Sequence, residues 1–164
     1  MPTPTFDFLL LLQTLARHKV DFILVGGVCA VLHGAPVNTF DMDIVHSRVP
    51  ENLERLVAAL QELDAYYREQ PERRIRPDAS HLASLGHQLL LTKAGPLDIL
   101  GTITPDRQYD DLLPHTQELQ LQEGVTVHLL NLATLIATKE ATGREKDHAT
   151  LPILRRTLEE TRLA

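Results

Sequence analysis

Three aspartates stand inside stretches that otherwise read as buried β-strand. Asp41 and Asp43 lie in Phe40-Asp41-Met42-Asp43-Ile44-Val45, and Asp98 lies in Pro96-Leu97-Asp98-Ile99-Leu100. Alternate residues of a strand share a face, so Asp41 and Asp43 point one way while Met42 and Ile44 point into the core. Aspartate is a poor strand former, and neighbouring carboxylates repel each other. A divalent cation offsets that repulsion directly. Mg²⁺ or Mn²⁺ takes a small number of carboxylates and fills its shell with water and phosphate oxygens. Asp98 joins the pair if its strand neighbours theirs. The Gly26-Gly27 pair closes an apolar strand upstream, and without side chains its backbone N–H groups can approach a phosphate closely. Each part alone is common: a tight turn, a solvated D-x-D, a strand-end acid. Their order is not. Strand, Gly-Gly, short helix, D-x-D and a later strand-borne acid together favour chemistry over structure.

The elements that must position these residues alternate in type. Residues 6–18 carry apolar side chains at helical spacing, with Thr5 as N-cap. Residues 20–25 read as a strand stopped by Gly26-Gly27, and 28–33 as a short helix closed by Gly34. A second strand spans 41–45. Ser47 is placed to cap a helix over 50–63 that begins with Pro50 and Glu51. Residues 64–84 are polar and resist assignment. Residues 87–92 and 96–100 flank Lys93-Ala94-Gly95 as a hairpin, and 118–121 with 125–129 form another, turning at Glu123-Gly124. Asn131 caps a helix over 132–142, Gly143 interrupts, and a last helix covers 146–162. The pattern predicts an α/β (α+β) fold: a mixed sheet flanked by helices, ending in a helical pair. One domain is expected over 1–164, with a core over about 20–130 and the C-terminal helices over about 131–162.

Composition excludes several classes. The chain has 164 residues, enough for a substantial core, and a net charge of −6 that argues against broad nucleic-acid binding. No apolar run approaches a membrane span, and no basic segment precedes the N-terminal apolar residues as in a signal peptide. The single cysteine, Cys29, excludes an internal disulfide and suits a cytoplasmic setting; it reads as a small buried side chain. The eight histidines lack zinc-ligand spacing and read mostly as surface residues. Tyr66-Tyr67-Arg68 and Arg73-Arg74-Ile75-Arg76 mix aromatics with cations as a tRNA acceptor would require, though a solvated loop fits them better.

The Gly26-Gly27 pair, the Gly34-Ala35-Pro36…Thr39 approach and Asp41-Met42-Asp43-Ile44 resemble the signature of the nucleotidyltransferase superfamily, the DNA polymerase β-like fold. The tail from Leu130 to Asp147, with Lys139, Gly143, Arg144, Lys146 and Asp147, is similar to the ending of small bacterial nucleotidyltransferase-like proteins, including the AbiEii-type toxin group. The resemblance spans roughly residues 20–154. It implies transfer of a nucleoside monophosphate from an NTP to an acceptor by two-metal in-line displacement. Gly26 and Gly27 would hold the triphosphate, with Thr39 near the metal site. Asp41 and Asp43 would bind the ions, and Asp98 would complete the site and help deprotonate the acceptor hydroxyl. Lys139, Arg144 and Lys146 would neutralise phosphate charge, with Asp147 orienting a basic neighbour. One departure stands out: relatives commonly carry arginine where this chain has Val37.

The expected function is therefore that of a cytoplasmic Mg²⁺- or Mn²⁺-dependent nucleotidyltransferase. Its acceptor is unassigned among RNA or tRNA, protein and small-molecule hydroxyls, and its setting is a toxin–antitoxin or phage-defence system. The rival is a catalytically silent module of the same fold that neutralises or regulates a partner protein.

Overall fold

The computed structural model describes residues 6–104, 106–122 and 124–163, apart from the Lys146 side chain. Thr5, the expected first cap, and Glu123, half of the expected second turn, lie outside the described residues. Helix α1 (Phe8–Arg17) is capped instead by Asp7, whose carboxylate accepts from the Leu10 N–H at 3.1 Å. Its apolar stripe buries Leu11, Leu12 and Leu15.

Two short strands form the centre. β1 (Phe22–Val25) is buried along its whole length, and β2 (Met42–His46) pairs with it antiparallel. β5 (Gly95–Leu100) runs parallel to β2, and β7 (Val125–Leu130) runs parallel to β1. Outside these, β4 (His87–Thr92) closes a hairpin on β5, and β6 (Thr116–Gln122) closes one on β7. β3 (Tyr66–Tyr67) makes one edge. The seven-stranded mixed sheet has the order β3-β4-β5-β2-β1-β7-β6. Central strands covered on both faces need near-continuous apolar sequence, which Phe22-Ile23-Leu24-Val25 supplies. Met42, Ile44, Leu97 and Ile99 are fully buried between β2 and β5.

Several boundaries move from their expected places. α2 spans Gly26–Leu32, so the Gly-Gly pair opens this helix rather than merely ending a strand. Gly26 has φ +71, the left-handed turn that lets extended Val25 feed directly into a helix. Asp41 falls just before β2 rather than inside it. α3 (Pro50–Glu62) starts at its proline as expected, but Val49 is its cap residue and no side chain bonds there. Ser47 is buried, and the Asn52 amide donates to its carbonyl oxygen at 2.7 Å.

The unassigned middle contains β3, a single 3₁₀ turn (Pro71–Arg73) and the one-turn α4 (Ala79–Leu82), capped by Asp78. A one-turn α5 (Tyr109–Leu112) and a 3₁₀ turn (Leu113–His115) lead into β6. At the end, α6 (Leu132–Thr142) stops at Gly143, φ +67, and α7 (Glu145–Leu163) follows. His46 departs from the surface expectation: it is buried, with Nε2 2.7 Å from the Leu82 carbonyl oxygen. Cys29 is buried and its Sγ donates to the Leu130 carbonyl at 3.3 Å; burial pushes its thiol up to about 12, far from reactivity. No described helix is long and apolar enough to cross a membrane.

Candidate active site

Strand register brings two of the acids together. In the parallel β2–β5 pair, Asp43 is the Cα partner of Asp98, with Met42–Leu97 and Ile44–Ile99 as the flanking pairs. The flanking residues turn into the core, so both carboxylates emerge on the same face. Asp41 reaches that face from the approach to β2, where the Thr39 hydroxyl donates to the Asp41 carbonyl oxygen at 3.0 Å. Each aspartate offers a carboxylate oxygen, and these oxygens all lie within 4.8 Å of one another.

The glycines serve this packing. A Cβ on Gly26 would overlap Asp43 Oδ2, and one on Gly27 would lie 2.6 Å from Thr39 Oγ1. Bare backbone at these two positions is what lets the Asp43 and Thr39 side chains lie against the start of α2.

The electrostatics match a crowded anionic site. Burial, then the charges of Asp41 and Asp98 and a hydrogen bond with Asp98, push the Asp43 carboxyl up to about 8, against the pull of Lys139. Three hard oxygen donors under mutual repulsion fit a hard divalent cation.

A guanidinium already answers part of that charge. Arg68 Nη1 lies 2.5 Å from Asp98 Oδ1 and donates to the Leu90 carbonyl oxygen at 3.1 Å. Arg68 follows β3, and its own N–H bonds the Leu89 carbonyl oxygen at 3.2 Å, tying the segment to β4. The sequence shows Arg68 only as one cation among aromatics. Its place at the acids depends on β3 folding onto β4, and no local spacing signals that.

The C-terminal pair adds a second group. Lys139 of α6 and Arg144 of the linker both bind Asp147 of α7, at 3.2 Å and 3.0 Å. Asp147 is buried, which pushes its carboxyl up, but Arg144 and Lys139 outweigh that and hold it below the usual carboxylate range. The acids, Gly26, Gly27, Thr39, Val37, Arg68, Lys139 and Arg144 line one cleft of about 850 Å³. Phe40 lines it too and is 75% exposed. The Lys146 side chain lies outside the described residues.

No protein-family model matches the chain, and no curated protein matches it. Among solved structures, the chain is similar to a Thermotoga maritima protein that carries a provisional nucleotidyltransferase assignment. The TM-score is 0.55 at 17% identity, over 93% of this chain and 93% of that one. Identity this low speaks to architecture and supports the broad fold rather than the AbiEii-type group. The mixed sheet and its flanking helices are those of a nucleotidyltransferase-like fold.

Proposed function

We propose that this chain is a metal-dependent nucleotidyltransferase that moves a nucleoside monophosphate from an NTP to an acceptor hydroxyl. The observation that carries the reading is the meeting of Asp41, Asp43 and Asp98 within 4.8 Å, on a fold of this kind and in an open cleft. In the reaction the acceptor oxygen attacks the α-phosphorus, the bond to the β-phosphate oxygen breaks, and pyrophosphate leaves. Asp41, Asp43 and Asp98 hold Mg²⁺ or Mn²⁺, which when bound supplies Lewis-acid stabilisation of the phosphoryl charge. Gly26 and Gly27 present backbone N–H groups to the triphosphate, with Thr39 fixing Asp41 beside them. Lys139, Arg144 and Lys146 neutralise phosphate charge, the first two held by Asp147. The acceptor proton passes to the Asp98 carboxylate, which Arg68 holds in place. The acceptor belongs to RNA (tRNA above all), protein or a small molecule, and the proposed setting is a toxin–antitoxin or phage-defence pair in the cytoplasm.

Pyrophosphate release tests this, with labelled NTPs and total cellular RNA or protein as acceptors. Asp98→Asn should leave NTP binding nearly intact and lower transfer by at least about a hundredfold, the usual loss for a general base. Equal rates would remove Asp98 from catalysis. Absence of release with every acceptor would turn the assignment to the silent binding module.

A further inference from the structure

We infer that the acceptor hydroxyl belongs to a protein side chain flanked by apolar residues, seated on the β4–β5 face beside Asp98. The inference rests on the nucleotidyltransferase reading and, among the acceptors that reading admits, selects protein over tRNA. Register fixes which side chains share the face of Asp98. In the antiparallel β4–β5 pair, Leu89 is the Cα partner of Asp98, and His87 is that of Leu100. Alternation then lays His87, Leu89, Pro96 and Leu100 on the cleft side, and all four line the cleft together with Ile103. Leu89, Pro96, Leu100 and Ile103 are only half-buried, so the floor beside the third acid is apolar and open. Val37 and Phe40 line the same space, and Phe40 is 75% exposed. The hydrogen bond between Thr39 and Asp41 spans Phe40 and fixes its backbone. An exposed aromatic on a fixed base is the form an anchor takes at an interface.

A nucleic acid needs more free positive charge than this cleft offers. Single strands bind where an aromatic platform adjoins a positively charged groove. The aromatic is present, but each described lysine or arginine lining the cleft is already ion-paired: Arg68 with Asp98, Lys139 and Arg144 with Asp147. The β4–β5 side adds only His87, whose Nε2 lies 3.1 Å from the Thr102 carbonyl oxygen. In the segment after β3, Arg73 bonds Gln70, Arg74 lies over the Tyr66 ring and Arg76 pairs with Asp64; none of the three lines the cleft. A net charge of −6 repels a polyanion at longer range. A serine, threonine or tyrosine hydroxyl carries no charge, and apolar neighbours gain by covering Leu89, Leu100 and Ile103. The cleft is open, so a protein segment can run on past exposed Thr104 into solvent. In the transfer, the side-chain oxygen bonds the α-phosphorus and the bond to the β-phosphate oxygen breaks. Pyrophosphate leaves, and the hydroxyl proton passes to the Asp98 carboxylate.

Two pools of synthetic peptides test this, each with a central serine, threonine or tyrosine, one flanked by leucine and valine and the other by glutamate and lysine. They are offered with Mn²⁺ and NTPs labelled at the α-phosphate, beside an oligoribonucleotide with a free 3′ hydroxyl and a reaction in which water is the sole acceptor. The apolar pool should be labelled with a kcat/KM at least about tenfold above the charged pool, the scale of a small apolar contact. The oligoribonucleotide should stay unlabelled. Ile103→Lys should cut the ratio between the pools at least about tenfold, and that ratio reads docking whatever the overall rate of the variant. Label on the oligoribonucleotide, equal label on both pools, or an unchanged ratio in folded Ile103→Lys would overturn the inference and leave the nucleotidyltransferase reading standing. Pyrophosphate release to water with no peptide labelled would do the same. Absence of pyrophosphate release under every condition would remove both readings. The wild-type ratio decides the matter even if Ile103→Lys fails to fold.

Discussion

Replacing Gly27 with alanine isolates the contact that holds the first acid in place. Gly27 sits in α2 without a positive φ, so alanine there gains about 0.5–1 kcal/mol of helix propensity. Against this, the new Cβ would lie 2.6 Å from Thr39 Oγ1 and 2.9 Å from Thr39 Cβ, too close for either to stay. Overpacking of this kind costs about 1–3 kcal/mol. Displacing Thr39 also breaks its 3.0 Å bond to the Asp41 carbonyl, worth about 0.5–1.5 kcal/mol. The balance is a loss of about 2 kcal/mol, or about 4–8 °C in Tm for a chain of this size. Thr39→Gly removes both clashing atoms. The double variant should therefore be less destabilised than the sum of the single ones by at least about 1 kcal/mol. Thermal and urea unfolding of the four proteins measure this. A Gly27→Ala protein as stable as wild type, or strict additivity in the cycle, would refute the packing argument.

Three other outcomes follow from the acids and their partners. Asp41→Asn with Asp43→Asn should leave metal-free stability unchanged or higher, and should abolish a Mn²⁺-induced gain of about 2.7 kcal/mol at a hundredfold excess over Kd; a rise in Tm that survives the double replacement places the ion elsewhere. With Asp43 pushed up to about 8, metal must displace its proton at lower pH. Mn²⁺ affinity should then climb with pH, at most about tenfold per unit, and level off above that value; calorimetry showing a flat affinity across it would contradict this. Asp147→Asn should cost about 3 kcal/mol by stranding Lys139. Because the Asp147 carboxyl sits below its usual value, its stabilisation is present above about pH 4 and fades as pH falls through the lower folded value; the variant should lose that acid limb in unfolding titrations.

What sequence can convey here is what depends on neighbours in the chain. The alternation in Met42-Asp43-Ile44 and Leu97-Asp98-Ile99 reveals which residues turn inward, because strand geometry is local. The Lys93-Ala94-Gly95 hairpin and the Gly143 stop are legible for the same reason. The start of α2 was not, since a Gly-Gly pair reads equally as an end or a beginning until Val25 is seen extended and Gly26 left-handed. Arg68 was hidden more deeply. Thirty positions separate it from Asp98, and they meet only because β3, β4 and β5 lie side by side. The Lys139–Asp147–Arg144 group shows its spacing in sequence, but the burial that makes Asp147 its centre comes from packing.

The Asp43–Asp98 register carries an evolutionary consequence. The apolar pairs on either side, Met42–Leu97 and Ile44–Ile99, set the separation of the two acids. A slip of either strand by one residue would turn that strand's own carboxylate toward the core, so selection for a stable sheet guards the spacing without reference to chemistry. The acids themselves are expendable to the fold: valine at both positions suits paired strands better than aspartate does. A lineage released from transfer could therefore exchange Asp43 with little structural loss, and Asp98 at the cost of its bond from Arg68, while keeping the cleft, Lys139 and the C-terminal helices. Silent descendants of this architecture should betray themselves by β-branched residues at positions 43 and 98 within an otherwise unaltered sheet.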